Sequence, residues 1–170
     1  MGIHSSDLRQ YVIRPALHYL NLWSEAAEDL LLGTAAVETG MGYRLKQVKG
    51  PALGIYQMEP ATHLDLWLHW LVPSPRRRGL REALLGLVSF HVREKLRLEG
   101  YSVLHEEMVV SLAYATAMAR CFYLRVPWPL PKAGDIQAQA CYWKHWWNSE
   151  RGKGTVDGYV RAYQRLVRDA

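Results

Sequence analysis

Helix-forming segments bounded by glycine and proline make up most of this chain, and this pattern limits the folds open to it. Ser24 can cap a helix over residues 25–38, which has acidic residues in its first turn and Gly40 or Gly42 beyond its end. No convincing alternation of apolar and polar residues, the signature of a strand, appears along the chain. The sequence therefore predicts a mainly α protein with at most a small β-hairpin between residues 41 and 56.

The remaining helices are predicted from caps, prolines and apolar periodicity. They are a short first helix capped by Ser5 and Ser6, a second begun by Pro15, and helices over residues 60–71, 80–100, 105–125, 135–147 and 156–168. A length of 170 residues suits one hydrophobic core. We therefore expect a single domain over residues 1–170, with residues 1–23 as an N-terminal helical extension.

The charge balance favours an anionic partner. Lys and Arg number 21 against 16 Asp and Glu, a formal net charge of +5. The basic residues are scattered, and the one tight cluster, residues 76–78, lies in a proline-rich connection that is interpreted as a solvated loop. No specific nucleic-acid partner is expected. The chain also has neither an apolar run long enough for a transmembrane segment nor a signal peptide, so we expect synthesis in the cytoplasm.

Metal and disulfide chemistry have little support in the sequence. Cys121 and Cys141 lie in apolar or aromatic company, so buried thiols are expected rather than a disulfide. His63, Asp65 and His69 raise the possibility of zinc, but their spacing does not bring three ligands to one helical face. No metal and no cofactor are predicted.

Glu38 is the candidate catalytic residue because it is the one carboxylate at the end of an otherwise apolar helical run. Burial there would raise its pKa, keep it protonated near neutral pH and make it suitable as a general acid. The alternative from the residues alone is a solvated carboxylate, or one paired with Arg44.

Two motifs give Glu38 a context. "AAVETG" followed by "GPALGIYQMEPAT" resembles the first two motifs of soluble lytic transglycosylases and goose-type lysozymes, in which a catalytic Glu precedes a Gly-Leu-Met-Gln sequence and then Pro-x-Thr. Pro51 stands where that family has glycine, and Tyr56 where it usually has methionine. The resemblance spans roughly residues 30–159 and implies a lysozyme-like fold with Glu38 as the acid.

The resemblance also implies substrate-binding residues. Gly54, Tyr56 and Gln57 match the second motif. Gly54 would let the backbone come close to a sugar, and Gln57 would hydrogen-bond a substrate amide or orient water. In the third motif, Ser111 stands where asparagine is usual and Tyr114 follows it, while Trp147 and Asn148 loosely match the last motif. Four of the seven tryptophans, Trp128, Trp143, Trp146 and Trp147, lie close together; most are expected to pack in the core and one or two to line a saccharide cleft.

The function implied is cleavage of the β-1,4 bond between N-acetylmuramic acid and N-acetylglucosamine in peptidoglycan glycan strands. Attack by the substrate's own groups would make the enzyme a lytic transglycosylase, whereas attack by water would make it a muramidase. The motifs also resemble lysozyme-like domains of phage particles, which implies action at the cell wall as an endolysin or virion component and phage structural proteins as partners. The alternative is a catalytically weak lysozyme-like structural or peptidoglycan-binding module.

Overall fold

The computed structural model of the protein describes residues 2–149 and 152–168. Helices contain 68% of the residues and strands 2%, and the described part has no sheet. The prediction of a mainly α fold is therefore confirmed. None of the helices in these two stretches is both long enough and apolar enough to cross a membrane.

The helices follow one another with short connections. In chain order they are α1 (Ser5–Asp7, Leu8–Ile13 and Arg14–Tyr19, without a break), α2 (Glu25–Thr39), α3 (Pro60–Asp65, continuing as Leu66–Leu71), α4 (Arg78–Gly86), α5 (Phe90–Glu99), α6 (Glu107–Val110), α7 (Leu112–Arg125), α8 (Ile136–Trp143, continuing as Lys144–Asn148) and α9 (Val156–Tyr163, continuing as Gln164–Arg168). Short 3₁₀ turns lie at Pro75–Arg77 and Tyr101–His105.

Helix α1 differs from the prediction, because Pro15 lies inside one continuous helix rather than at the start of a second. The segment before it is a π-helix, in which the N–H of Arg14 donates to the carbonyl of Arg9, five residues earlier. A proline ring clashes with the carbonyl four residues before it in a regular α-helix. The wider π turn relieves that clash, so the chain continues through Pro15 without a break.

Helix α2 lies at the centre of the fold, within one residue of its predicted bounds. The Ser24 hydroxyl accepts a hydrogen bond from the N–H of Ala27 at 3.1 Å, and Gly40 ends the helix in the left-handed conformation with φ 59°. At Gly33 an added Cβ would lie 1.9 Å from the hydroxyl oxygen of Tyr159. The missing side chain therefore lets α9 pack directly against α2.

Two predicted helices are interrupted. Residues 80–100 form α4 and α5 with a break at residues 87–89, where the backbone N–H of Ser89 donates to Glu107 at 3.2 Å and its hydroxyl bonds the same carboxylate. Residues 105–125 break at Ser111, which is extended (φ −120°, ψ 104°) and caps α7. In both places a serine bonds a side chain or backbone group outside the regular helical ladder.

The last two helices and the loop of residues 41–59 agree with the sequence. Asp135 and Thr155 cap α8 and α9 by accepting from backbone N–H groups at 3.0 Å. In the loop, two isolated antiparallel bridges join Lys46 to Leu53 and Leu53 to Met58. This small ribbon is what the structure has in place of a hairpin.

The buried side chains form two clusters. The first surrounds α2 and includes residues from α1, α7, α8 and α9, while the second is built from residues of α3 to α7 with Leu20 and Met58. Phe122 and Trp147 pack against both clusters. These two aromatic residues also line a large cleft.

Candidate active site

A cleft of about 950 Å³ is lined by the end of α2, the loop of residues 41–59, the first turn of α3 and the segment that ends α8. Four predicted site residues line it together: Glu38, Gln57, Trp147 and Asn148. They come from three separate segments of the chain. The fold therefore unites the first two motifs with the loosely matched last one.

Glu38 is partly buried in the cleft wall, and its carboxyl group has a single side-chain hydrogen bond among the described residues. Its Oε1 accepts from the indole Nε1 of Trp143 at 3.0 Å. Burial raises the pKa of Glu38 to about 7, and the Trp143 hydrogen bond lowers it by a smaller amount. The expected alternative, an ion pair with Arg44, does not form. Glu38 is therefore a carboxyl group that exchanges its proton near neutral pH.

The residues after Glu38 explain why the helix ends in Glu-Thr-Gly. The Thr39 hydroxyl donates to the carbonyl of Ile55 at 2.7 Å and accepts from the N–H of Gly42 at 2.8 Å. Gly40 then turns the chain in a left-handed conformation that favours glycine. The last turn of α2 is thereby tied to the loop that carries Gln57, which fixes the two motifs relative to each other.

Gln57 lies on the cleft surface in a constrained backbone conformation. Its φ is 50°, in the left-handed region, and its side-chain Nε2 donates to the carbonyl of Gly54 at 2.9 Å. The side-chain amide is thus held by its own loop. Its carbonyl oxygen and second amide hydrogen are suited to a ligand's polar groups.

Trp147 and Asn148 close the cleft on the side of α8. The Trp147 ring packs against Phe122, with centroids 4.7 Å apart at 68°, and against Tyr123 at 5.2 Å. Asn148 accepts through Oδ1 from the Lys144 ammonium at 2.9 Å. The same ammonium donates to the carbonyls of Ser149 and Gly152 at 2.8 Å each, so Lys144 holds both ends of this turn.

Three predicted substrate-binding side chains lie outside the cleft. Tyr56 is 1% exposed and its hydroxyl bonds Thr116 at 3.0 Å; Tyr114 is 0% exposed and its hydroxyl bonds His63 at 2.8 Å. Ser111 uses its hydroxyl to cap α7, accepting from the N–H of Tyr114 at 3.1 Å. None of these side chains lines the cleft, so none is positioned to touch a ligand there.

The structure requires glycine at position 54 for packing inside the protein, and not for the predicted approach of a sugar. The φ of Gly54 is 74°, and an added Cβ would lie 2.2 Å from the carbonyl oxygen of Met108. The glycine therefore allows the loop to approach α6 closely, rather than allowing a sugar to approach the loop. The sequence alone does not show which neighbouring group comes close to the backbone at a glycine in a motif.

The three residues considered as zinc ligands do not lie around a common point. His63 is buried against Tyr114, whereas Asp65 bonds His69 and Arg125 at the surface. No group of three or more His, Cys, Asp or Glu side chains suited to a metal occurs in the described residues. Both cysteines are free; Cys121 is buried as expected, but Cys141 is exposed, because it faces outward on α8.

Several cleft features were not predicted. Glu59, Phe122 and four cations, Arg44, Lys46, Lys49 and Lys153, also line the cleft. The density of basic residues at 44–49 was a visible signal for this charge, whereas Phe122 reaches the cleft only through packing of α7. The predicted packing role of Trp143 agrees with its 1% exposure, but its bond to Glu38 was not foreseen.

Comparisons with protein-family models, curated proteins and solved structures found no match to this chain.

Proposed function

We propose that this protein is a glycosidase that cuts the β-1,4 bond of peptidoglycan glycan strands, with Glu38 as the general acid. The observation that carries the proposal is a cleft-lining carboxyl group whose pKa is raised to about 7 and which has no cationic partner among the described residues. A catalytic acid works best when its pKa lies near the working pH. The motif resemblance of residues 33–62 supports the same choice of residue.

The hydrogen bond from Trp143 suggests how Glu38 delivers its proton. Because Oε1 accepts the indole N–H, Oε2 is the oxygen suited to carry the acidic proton. That proton passes to the glycosidic oxygen as the bond from this oxygen to the sugar C1 breaks. Electrons of the broken bond stay on the leaving oxygen, and C1 becomes electron-poor. The same indole N–H then stabilises the Glu38 carboxylate that remains.

Completion of the reaction requires a nucleophile at C1. If the C6 hydroxyl of the same sugar attacks, Glu38 accepts its proton and the product is a 1,6-anhydro sugar. If water attacks, the product is a reducing sugar. Glu59 is the other described carboxylate lining the cleft, and it is exposed. An essential Glu59 would favour the water route with two carboxylates.

The fold also supports a second candidate function, a lysozyme-like module that binds peptidoglycan or serves in a phage particle without efficient turnover. The observation in its favour is that Ser111 and Tyr114, the matches to the third motif, do not line the cleft. A cleft that lacks one of the four expected motifs can retain binding after catalysis is lost. Activity separates the two candidates.

The test compares wild type with Glu38→Gln in a turbidity or zymogram assay on purified peptidoglycan, with mass spectrometry of released fragments. Gln keeps the shape and accepts the Trp143 hydrogen bond but has no transferable proton. Loss of a general acid typically lowers the rate about 10²–10⁴-fold. The exposed Glu99 lies outside the cleft, so Glu99→Gln is the matched control and should retain wild-type activity.

The pH profile gives an independent check of the same assignment. Wild-type activity should fall as pH rises through about 7, because Glu38 loses its proton there. A folded Glu38→Gln protein that clears peptidoglycan at the wild-type rate would exclude Glu38 as the acid. If neither protein releases fragments but both bind peptidoglycan, the binding-module function is the correct one.

A further inference from the structure

The charges lining the cleft are strongly unbalanced. Its four cations, Arg44, Lys46, Lys49 and Lys153, are all exposed, and Glu59 is the only described carboxylate there besides Glu38. Glu38 is largely neutral below pH 7. Four positive charges therefore face one ionised carboxylate in a concave surface, where fields of one sign add up and attract counter-ions.

The ion pairs of the described residues lie elsewhere in the molecule. Glu28 pairs with Arg9 and Arg14, Asp65 with Arg125, and Glu82 with Arg78. None of the four cleft cations forms a salt bridge with any described residue. Most other described basic residues form none either, so the cleft cations are distinguished by their position around one concave surface, where their charges add up.

The local backbone holds three of the cations in the ribbon of residues 44–54. The Gln47 N–H donates to the carbonyl of Ala52 at 2.9 Å, and the Gly54 N–H donates to that of Leu45 at 2.8 Å. Lys46 forms an isolated bridge with Leu53, and Lys49 sits in the tip of this ribbon with φ 60°. The positions of Arg44, Lys46 and Lys49 are therefore set by hydrogen-bonded backbone rather than by a loose loop.

The fourth cation belongs to the opposite end of the sequence. Lys153 lies between Gly152 and Gly154, and an added Cβ at Gly154 would lie 2.4 Å from the Trp143 ring. This segment is thus packed closely on α8, beside the indole that bonds Glu38. The four cations therefore lie on two segments near Glu38: the loop that follows α2 and the segment that follows α8.

We propose that Arg44, Lys46, Lys49 and Lys153 form a cationic wall that selects glycans carrying carboxylate groups over neutral glycans. Ammonium and guanidinium groups form charge-assisted hydrogen bonds with carboxylates, and flexible lysines tolerate variable carboxylate positions. The wall acts on binding, whereas Glu38 acts on bond cleavage. This inference rests on the proposed function for its choice of a glycan, and it names the class of glycan.

Binding is tested in the Glu38→Gln background, which removes the proposed turnover. Insoluble peptidoglycan is sedimented with the protein, in parallel with peptidoglycan whose carboxyl groups have been converted to amides by carbodiimide and methylamine. The test variant replaces Lys46, Lys49 and Lys153 by Gln. The control variant replaces Arg93, Lys95 and Arg97 by Gln, which removes the same charge from exposed positions of α5 outside the cleft.

The cleft variant should bind untreated peptidoglycan about ten-fold more weakly at low salt, as expected for three exposed charge pairs of roughly 0.5 kcal/mol each. The α5 control should change less than two-fold. On amidated peptidoglycan, both variants and their parent should bind with equal, weak affinity. Raising the salt concentration should reduce the difference between the cleft variant and its parent.

Equal losses in the cleft and control variants would overturn the proposal, because they would indicate a general charge effect. So would undiminished binding to amidated peptidoglycan, or equally tight, wall-dependent binding of a single-stranded 30-nucleotide DNA. If binding of untreated peptidoglycan depends on the wall but the wild-type protein, which has Glu38, cleaves nothing, the wall is supported and the proposed glycosidase is rejected. Cleavage without dependence on the wall would do the reverse.

Discussion

At the scale of single residues, Glu38 combines two properties that conflict: it is partly buried, and it can carry a charge. The folded-state pKa of about 7 exceeds the ordinary value of 4.5. The folded protein therefore binds more protons than the unfolded chain between these values, and its stability falls as pH rises from 4.5 to 7. Above pH 7 the full penalty of the buried carboxylate is present.

Glu38→Gln should therefore stabilise the protein, and more so at alkaline pH. At pH 5 the difference should be small, because this pH lies only just above the ordinary pKa of 4.5 and little of the penalty is present. At pH 8 the free energy of unfolding of Glu38→Gln should exceed that of wild type by up to roughly 3 kcal/mol, the equivalent of the pKa shift. Urea unfolding at both pH values measures this. The same difference at pH 5 and pH 8 would mean that Glu38 is not a buried titrating group.

The sequence was informative about some residues and silent about others. Glu38, Gln57, Trp147 and Asn148 line one cleft, as the motifs led us to expect. Tyr56 and Tyr114 do not, because an aromatic ring with one hydroxyl suits a core position as well as a cleft. Their hydroxyls find partners in Thr116 and His63, which lie 60 and 51 residues away in sequence. Local spacing cannot reveal such distant partners.

At the scale of helices and loops, the positions of helix ends were predicted well where a cap and a stop signal coincide. Helix α2 has both Ser24 and Gly40, and its predicted bounds agree with the structure. Two long helices were predicted where the structure has four shorter ones, interrupted at Ser89 and Ser111. Serine is tolerated inside helices, so only its partners outside the helix turn it into a break.

Substitution of Ser111 can distinguish its role as the cap of α7 from the predicted role in substrate binding. Because its hydroxyl caps α7, Ser111→Ala should lower the free energy of unfolding by about 1 kcal/mol, the usual value for losing a helix cap. Ser111→Asn should keep the stability, since asparagine caps equally well. Peptidoglycan binding should be unchanged in both folded variants. Weaker binding by Ser111→Ala without any loss of stability would restore the predicted substrate-binding role.

At the scale of the whole molecule, the second hydrophobic cluster surrounds a buried histidine that the proposed reaction does not use. The Trp67 indole donates to the Tyr114 hydroxyl at 3.0 Å, and that hydroxyl shares a second hydrogen bond, of 2.8 Å, with His63 Nε2. The other ring nitrogen, Nδ1, is buried without a hydrogen-bond partner among the described residues. The ring of His105 is 5.0 Å away, edge to face. This arrangement accommodates a neutral His63 but not a charged one.

Burial lowers the pKa of His63 to about 3, with a smaller contribution from His105, and burial also lowers the pKa of His105. An unfolded histidine titrates at 6.5, so the unfolded chain binds the additional protons as pH falls below that value. Stability should therefore decline from pH 6.5 downward. Between pH 4.5 and 6.5 this decline opposes the effect of Glu38, so the two must be separated.

The separation uses Glu38→Gln as the parent protein and adds His63→Phe, which keeps an aromatic ring of similar size but cannot titrate. In the parent, each fully neutral buried histidine contributes a slope of up to about 1.4 kcal/mol per pH unit between pH 4.5 and 6. Removing His63 should reduce the slope of unfolding free energy against pH by nearly that amount. His63→Phe also removes the hydrogen bond between His63 and the Tyr114 hydroxyl, so the absolute stability should fall at every pH. The slope is unaffected by such a constant loss, because it counts only the protons taken up on unfolding. Parallel pH curves for the two proteins would mean that His63 is protonated in the folded state, and its Nε2–H would then donate to the Tyr114 hydroxyl oxygen.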